Sequence, residues 1–265
     1  MSVSTTTRSA SPAPAGVPAV TRYDGRTAAE LAAWLDVPDV VVFDTIGSTL
    51  DAAHARAAAG APAGTLVLAD AQTAGRGRQG RAWASGAAAG IWLTLVERPR
   101  DPAAVDVLSL RLGLHAARVL DPFAPGAVGL KWPNDLYVDG GKLAGVLVEA
   151  RWREGAVDWI AIGFGLNVRR PAGMPMAATL RGDAVRLDAL AALVPALRAA
   201  AAETGPLRAS ELAEYAARDV ARGRRCREPL EGVVAGIDAS GALVVETDAG
   251  SRYARAGSLV LQEDV

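Results

Sequence analysis

A segment of alternating glycines and arginines, GRGRQGR at residues 75–81, limits most strongly what this chain can form. It follows an apolar run at residues 65–71 that is typical of a buried strand. Glycines leave backbone N–H groups open and permit positive φ, so the main chain can close over an anion. Arginine adds planar guanidinium groups that suit phosphate or carboxylate. Taken alone, the segment fits this anion-binding role about as well as the alternative, which is a mobile basic loop or an arginine–glycine segment that grips nucleic acid.

The charge balance and the rare residue types narrow the class of protein. A net charge of −1 in 265 residues argues against a general nucleic-acid binder. The single cysteine, Cys226, excludes an internal disulfide and indicates a reducing, cytoplasmic location. His54 and His115 are predicted to pack or to face solvent rather than bind zinc. No apolar run is long enough for a membrane span, and residues 1–22 read as a disordered leader without a signal peptide.

Lysine and asparagine are nearly absent from the chain. Of 28 basic residues only Lys131 and Lys142 are lysines, and Asn134 and Asn167 are the only asparagines. Arginine has replaced lysine wherever positive charge alone suffices. A lysine that remains therefore indicates a place for a compact ammonium group, such as a position beside reacting atoms.

The pattern of the first half predicts alternating helices and strands. A capping box at Thr27 begins a helix that runs to Leu35. Residues 40–43 and 90–96 are predicted strands, and residues 105–120 a helix. Ser48 with Asp51 has the form of an N-cap for a helix that runs to about residue 59. Because this helix follows a strand at once, its hydroxyls and open N–H groups lie at the end of a sheet, so capping and ligand binding both remain open.

The second half predicts a meander followed by helices and a small β unit. Residues 136–168 read as antiparallel strands joined by tight turns, and residues 186–202 and 209–221 as helices. From about residue 228, short strands alternate with turns at residues 238–241 and 248–250. The sequence therefore predicts an α+β fold.

Four motifs in register carry a family resemblance: GRGRQGRAW at 75–83, KWPND at 131–135, KLAGVLVE at 142–149 and IGFGLNV at 162–168. Together they resemble a biotin–protein ligase, closely over residues 40–170 and more loosely over residues 228–265. The resemblance implies a class II synthetase-like catalytic domain at residues 23–225, with a mixed or antiparallel sheet flanked by helices. It also implies an SH3-like β-barrel at residues 226–265. No helix-turn-helix is expected before Tyr23, which is typical of members without a DNA-binding repressor domain.

The resemblance implies a reaction in two steps. The carboxylate of biotin attacks the α-phosphate of ATP and gives biotinyl-5′-adenylate, and a lysine of a biotin carboxyl carrier domain then attacks that intermediate. The expected ligands are ATP, Mg²⁺ and biotin, and the expected partner is an acyl-CoA carboxylase. Neither DNA nor a membrane is an expected partner, and a homodimer is left open.

The resemblance also assigns roles to single residues. The biotin head group is assigned to three polar side chains, Ser48, Thr49 and Gln72. The closing of the acyl-adenylate is assigned to the loop and its wall, Gly75, Arg76, Gly77, Arg78, Arg81 and Trp83. The nucleotide end is assigned to Lys131, Asn134 and Asn167, the metal to Asp135, and a clear pocket floor to Gly145 and Gly165. Lys142 and Arg78 are the expected catalytic residues.

Two features complete the expectation. Many members of the family have Asn directly after the Ser-Thr pair, whereas this chain has Leu50, so one amide contact to biotin is missing or supplied elsewhere. Clustered like charges and glycines predict that residues 76–81 are mobile until a ligand binds.

Two alternatives to a biotin–protein ligase remain. One is a lipoate or octanoate ligase of the same fold, and the other is a nucleic-acid-binding protein that uses the Gly/Arg loop.

Overall fold

The fold is seen in a computed structural model that describes residues 19–20, 22–99, 101–171 and 173–262. Of the predicted leader, only residues 19, 20 and 22 fall in these ranges, so its predicted disorder lies outside the described residues. Within the described ranges, no helix is long and apolar enough to cross a membrane.

Five α-helices and fourteen strands make up the regular structure of the described residues. The helices are α1 Ala28–Leu35, α2 Thr49–Ala58, α3 Leu108–Leu120, α4 Arg186–Ala202 and α5 Ala209–Arg218. The strands of the first part are β1 Arg22–Tyr23, β2 Arg26–Thr27, β3 Val40–Ile46, β4 Leu66–Gln72, β5 Gly90–Glu97, β6 Gly129–Lys131, β7 Asp135–Val138, β8 Gly141–Arg153 and β9 Ala156–Asn167. The strands of the last part are β10 Arg225–Glu228, β11 Gly232–Ile237, β12 Leu243–Thr247, β13 Gly250–Ala254 and β14 Val260–Leu261.

A seven-stranded mixed sheet is the centre of the larger part, with the order β3-β4-β5-β9-β8-β7-β6. The pair β3–β4 is parallel and every other pair is antiparallel. Since β3 and β4 are parallel, both end at the same edge of the sheet, and their carboxyl ends lead into Ser48 and the Gly/Arg segment. The predicted meander of residues 136–168 is the antiparallel run β7–β8–β9.

The sheet separates two apolar layers. Successive side chains of a strand point to opposite faces. On β3, Val40 and Val42 join the larger core with α1, α3 and α4, whereas Val41 and Phe43 join a smaller cluster under α2. The period-two alternation thus fixes which face each helix covers. It also places the start of α2 beside the edge where β3 and β4 end.

The small C-terminal sheet is antiparallel, with the order β13-β12-β11-β10-β14. It contacts the larger part through the turn at residues 238–241. There the indole N–H of Trp132 donates to the Gly241 carbonyl at 3.0 Å, and Leu207 N–H donates to the Ala239 carbonyl at 2.9 Å. Gly241 has φ +78, and a Cβ there would lie 2.9 Å from Leu110 Cδ1. Only glycine fits this close contact, so the turn seats the C-terminal sheet tightly on α3.

The α+β fold is confirmed, and the differences from prediction are shifted ends of helices and short strands, β1, β2 and β10, that were not predicted. The predicted helix 105–120 begins at Leu108, because Asp101 caps a preceding 3₁₀ turn, Pro102–Val107. The predicted helix 209–221 ends at Arg218, because the Asp219 carboxylate accepts from Ala221 N–H and turns the chain.

Candidate active site

A cavity of about 760 Å³ opens beside the mixed sheet, between the start of α2, the Gly/Arg segment and the KWPND motif. It brings together fifteen of the sixteen predicted site residues, Ser48, Thr49, Gln72, Arg76, Gly77, Arg78, Arg81, Trp83, Lys131, Asn134, Asp135, Lys142, Gly145, Gly165 and Asn167. Residues from four motifs far apart in the chain thus share one wall.

Gly75 is the predicted site residue that does not line the cavity. A Cβ there would lie 2.5 Å from the Trp83 carbonyl oxygen and 2.7 Å from Ser85 Oγ. Its own carbonyl accepts from Trp83 N–H at 2.8 Å. Gly75 therefore closes the base of the Gly/Arg hairpin behind the cavity wall, and its expected contact with the ligand stays a prediction.

Gly145 and Gly165 form a slot for the Trp83 indole. A Cβ at Gly165 would lie 2.5 Å from Trp83 Nε1, and one at Gly145 would lie 3.1 Å from Trp83 Cζ3. Any other residue at position 165 would displace the indole. The two glycines leave room for the indole of Trp83, and this indole forms part of the cavity wall.

A chain of hydrogen bonds ties the start of α2 to the exit of the Gly/Arg hairpin. Thr49 donates to Gln72 Oε1 from its backbone N–H at 2.9 Å and from its hydroxyl at 3.1 Å. Gln72 Nε2 in turn donates to Ser85 Oγ at 2.8 Å. Thr94 lies behind this chain and donates to Thr49 Oγ1 at 2.8 Å. Thr49 and Gln72 are therefore largely engaged with the protein.

Ser48 occupies the N-cap position of α2 but does not cap it. Its side chain makes no cap hydrogen bond, although the residue is 1% exposed. The predicted N-cap position of Ser48 is therefore confirmed, but its hydroxyl does not bond to the helix. The Thr27 capping box of α1, in contrast, is present in full.

Besides Asp135 Oδ1, which pairs with Lys142, three buried polar atoms of the cavity wall have no hydrogen-bond partner: Ser48 Oγ, Trp83 Nε1 and Asn167 Oδ1. A buried polar group without a partner costs about 1–3 kcal/mol. Trp83 offers a donor, Asn167 an acceptor and Ser48 either. A ligand with amide-like groups would satisfy all three kinds of site.

The cavity wall carries an excess of basic side chains. Among the described lining residues five are basic, Arg76, Arg78, Arg81, Lys131 and Lys142, and Asp135 is the sole acid. Lys142 Nζ forms an ion pair with Asp135 Oδ1 at 2.8 Å and lies 5.0 Å from the centre of the Trp83 ring. Lys131 Nζ lies 5.4 Å from the Tyr137 ring centre. This excess of positive charge favours an anionic ligand.

The KWPND motif is fixed to β8 by Asn134. The Asn134 side chain donates to the Val146 carbonyl at 2.7 Å, and the Asn134 carbonyl accepts from Val146 N–H at 2.9 Å. Asn167 donates to the Lys142 carbonyl at 3.2 Å and keeps its oxygen free. These amide contacts hold the segments that carry Lys142 and Asp135 in place at the cavity wall.

Arg76 is held from below by acidic groups. It donates to both oxygens of Asp51 at 2.8 Å, and its second nitrogen lies 4.0 Å from Glu149. Glu149 accepts from His54 at 2.8 Å, and Trp159 donates to the opposite nitrogen of His54 at 2.9 Å. The His54 hydrogen bond lowers the pKa of Glu149. His54 thus lies outside the cavity wall and acts as a packed support, in agreement with its predicted role.

Several lining residues were missed by the sequence reasoning. Leu50 was left out of the site, yet it lines the cavity and packs 3.3 Å from the Cβ position of Gly163. The segment 174–177 and the turn residues Ser258 and Leu259 also line the cavity. The chain has only three methionines, two of them in that segment, and this was the only available signal.

No cluster of three or more acidic, histidine or cysteine side chains that could hold a metal occurs among the residues that the structure describes. The predicted metal residue Asp135 is a single carboxylate paired with Lys142.

The fold and the cavity define a class: an α+β domain with a cavity rich in basic side chains at a sheet edge, joined to a small antiparallel β domain. Residues 42–167 match the Biotin/lipoate A/B protein ligase family, and residues 222–264 match the Biotin protein ligase C terminal domain. The biotin–[acetyl-CoA-carboxylase] ligase of Paracoccus denitrificans is 35% identical over 217 residues, which cover 69% of this chain and 85% of that protein. The chain belongs to the biotin/lipoate A/B protein ligase family, as its motifs predicted.

Two further comparisons describe the extent of the likeness. The bifunctional ligase/repressor BirA of Bacillus spizizenii is 41% identical over 128 residues, 48% of this chain and 39% of that protein. The chain spans 39% to 62% of the length of the bifunctional relatives from B. spizizenii, Bacillus subtilis and Escherichia coli. A solved structure of Aquifex aeolicus biotin protein ligase with biotin and ATP has a TM-score of 0.69 at 23% identity, covering 85% of this chain and 99% of that chain. This last likeness concerns the fold.

Proposed function

We propose that this chain attaches biotin to a lysine of a carrier domain at the expense of ATP. The observation that carries the proposal is one cavity whose wall holds two kinds of group. Unpartnered hydroxyl, indole and amide atoms line it together with five basic side chains against one acid. Biotin has a ureido group with one acceptor and two N–H donors, and ATP has a triphosphate. The unpartnered polar atoms and the basic side chains together suit these two substrates.

In the first step, a carboxylate oxygen of biotin attacks the α-phosphorus of ATP. The bond to the bridging oxygen breaks, pyrophosphate leaves, and biotinyl-5′-adenylate remains. Both reactants are anions, so cationic groups are needed to bring them together and to stabilise the charge that develops. Lys142 and Arg78 are the residues we propose for this role, with Arg81 beside them. Burial lowers the pKa of Arg78 and Asp135 partly offsets this, but a guanidinium remains charged at neutral pH.

The polar contacts divide between the two substrates. We assign Ser48 Oγ and Trp83 Nε1 to biotin, because both are buried and unpartnered. Thr49 and Gln72 help to orient biotin. The Gln72 amide has two N–H donors and uses one of them for Ser85, so the other is available to the ligand. Asn134, Asn167 and Lys131 are assigned to the nucleotide, with the free Asn167 oxygen as an acceptor.

Mg²⁺ is proposed as the ion that accompanies ATP, with Asp135 as its protein ligand. Mg²⁺ is commonly held by one or two carboxylates together with substrate phosphates. Asp135 supplies one carboxylate, whose buried Oδ1 pairs with Lys142 Nζ at 2.8 Å. The ion would neutralise phosphate charge there, and Lys142 would be released from Asp135 towards the reacting oxygens.

In the second step, the neutral amine of an acceptor lysine attacks the acyl carbon. An amide bond forms, the bond from the acyl carbon to the phosphate oxygen breaks, AMP leaves, and the amine loses its proton. The names of the relatives from Mycobacterium tuberculosis and P. denitrificans specify acetyl-CoA carboxylase. On that support we propose a biotin carboxyl carrier domain of an acyl-CoA carboxylase as the acceptor.

The test is the intact mass of a purified carrier domain after incubation with the chain, ATP and Mg²⁺. Separate samples contain biotin, lipoate or octanoate. We expect the mass of one biotinyl group, only in the sample with biotin and only when ATP is present. Transfer of a lipoyl or octanoyl group instead would favour the other activity of this family. A carrier domain whose acceptor lysine is replaced by arginine serves as the control.

Three further predictions belong to this proposal: a cytoplasmic location, no binding of DNA, and a monomer or homodimer in solution. Light scattering with and without biotin and ATP measures the oligomeric state. A gel shift at low and high salt tests for nucleic-acid binding, which would show a strong salt dependence if the Gly/Arg loop gripped phosphates.

A further inference from the structure

The three arginines of the Gly/Arg loop have partners of two different kinds. Arg76 is bound to the carboxylate of Asp51. Arg78 and Arg81 instead donate to neutral groups of the C-terminal sheet. Arg78 Nη2 donates to the Gly257 carbonyl at 3.1 Å, and Arg81 Nη2 donates to Ser258 Oγ at 2.8 Å.

The same turn also binds the loop between the two arginines. Ser258 Oγ lies 3.1 Å from Gln79 Oε1, to which it donates, and Arg81 donates to the same Gln79 oxygen at 3.1 Å. Gln79 has φ +56, so the loop bends there and brings Arg78 and Arg81 to the turn together. Ser258 also lines the cavity. One hydroxyl of the C-terminal sheet thus joins two residues of the loop.

The turn that receives the loop is fixed within its own sheet. Gly257 has φ +125, and a Cβ there would lie 2.8 Å from Pro229 Cβ. The sheet is fixed in turn to the KWPND motif, through the hydrogen bond from Trp132 to Gly241. The turn at Gly257 and Ser258 is therefore held in place relative to Asn134, whose Oδ1 is 3.5 Å from Arg78 Nη1.

We propose that Gly257 and Ser258 are positioning residues that hold Arg78 and Arg81 closed over the cavity. The inference rests on the proposed function, since the held arginines would retain the acyl-adenylate. Neutral acceptors suit this task better than carboxylates. A carboxylate would fix the guanidinium but cancel its charge, whereas a carbonyl or hydroxyl fixes it and leaves the charge available to an anion. Arg76, neutralised by Asp51, serves as the fixed end of the loop.

The first test is limited trypsin digestion of the ligand-free full chain, with cleavage after Arg76, Arg78 and Arg81 followed by mass spectrometry. When the loop opens and closes faster than trypsin cuts it, the cleavage rate follows the population of the open loop. Ser258→Ala removes the hydrogen bonds to Arg81 and Gln79, and we expect cleavage about fivefold faster than in the wild type. The matched control is Ser251→Ala, which removes a serine hydroxyl of the same sheet that donates to Glu246, away from the loop.

A second pair of variants tests the backbone contact. Gly257→Ala would displace the carbonyl that Arg78 uses, whereas Gly250→Ala has a similar positive φ but open space around it. The strain of alanine at positive φ is thus common to both. We expect faster loop cleavage only for Gly257→Ala. Equal cleavage in Ser258→Ala and Ser251→Ala, or in the two glycine variants, would overturn the proposal.

The second measurement is the rate at which biotinyl-5′-adenylate dissociates from each variant. We expect this rate to rise about fivefold for Ser258→Ala, in step with loop opening, with an unchanged melting temperature. Faster loop cleavage with an unchanged dissociation rate would refute the positioning role. If the wild type forms no adenylate, the proposed function fails, and the digestion still decides whether the turn holds the loop.

Discussion

Replacing Lys142 by arginine tests the central assignment of the site, because it keeps the charge and changes the shape. Lys142 Nζ contacts Asp135 at 2.8 Å and lies 5.0 Å from the Trp83 ring centre. A guanidinium is planar, reaches farther and is suited to pair with both Asp135 oxygens. It would therefore stay on Asp135 instead of moving between the reacting carboxylate and phosphate.

The expected loss follows from this displacement. A misplacement of about 1 Å at a reacting centre costs on the order of a hundredfold in rate. Loss of one group that stabilises developing charge costs about 3 kcal/mol, which lowers the rate by at most about a further hundredfold. We therefore expect biotin-dependent pyrophosphate exchange to fall by two to four orders of magnitude, as the combination of these estimates. Because the Lys142 side chain is 36% exposed, stability should change by less than about 0.5 kcal/mol.

The assay compares exchange rates and melting temperatures of the wild type, Lys142→Arg and Arg169→Lys. Arg169 is exposed and outside the cavity wall, so the reverse exchange there should leave both quantities unchanged. Exchange by Lys142→Arg within about tenfold of the wild type would mean that any cation suffices. The scarcity of lysine in this chain would then be no guide to its active site.

Two other substitutions and one truncation have defined outcomes. Arg78→Gly should still form the adenylate but release it early, so that bystander proteins become labelled; retention as in the wild type would contradict this. Removing residues 228–265 should abolish ligation and lower the melting temperature, because Trp132 loses its acceptor and Leu110 is uncovered; ligation at the wild-type rate would contradict it. Burial raises the pKa of Asp219 to about 6, so the folded state binds the proton more tightly and stability falls as pH rises from about 4 to 6. Asp219→Asn should therefore stabilise the protein above pH 6, by about 1–3 kcal/mol, and leave it unchanged near pH 4 in denaturant titrations.

The strands could be predicted because their apolar runs are visible in the sequence. Val40 to Phe43 form one continuous apolar run, which indicates a buried strand, and the structure shows that its side chains alternate between two cores. Much of the candidate site could also be predicted, since most of its residues lie in four recognisable motifs. The contacts between these motifs could not be predicted, because the motifs lie far apart along the chain.

The errors at the site come from partners that are remote in sequence. Ser48 has the local form of a cap, and only the folded cavity shows that its hydroxyl is unpartnered. Gly165 carries no local sign that a tryptophan eighty residues earlier fills the space above it. Ser258 is an ordinary turn residue until the C-terminal sheet docks against the loop.

The slot that holds Trp83 has an optical consequence. The chain has six tryptophans, and among the described residues only Trp83 and Trp132 line the cavity. The indole N–H of Trp132 is already bonded to Gly241, whereas that of Trp83 is unpartnered and its ring lies beside the Lys142 ammonium. Indole emission responds to hydrogen bonding and to nearby charge, so a ligand that accepts from Trp83 or draws Lys142 away changes the fluorescence of this residue. Binding of unlabelled ligands can then be followed in solution by the difference between the emission of the wild type and that of Trp83→Phe.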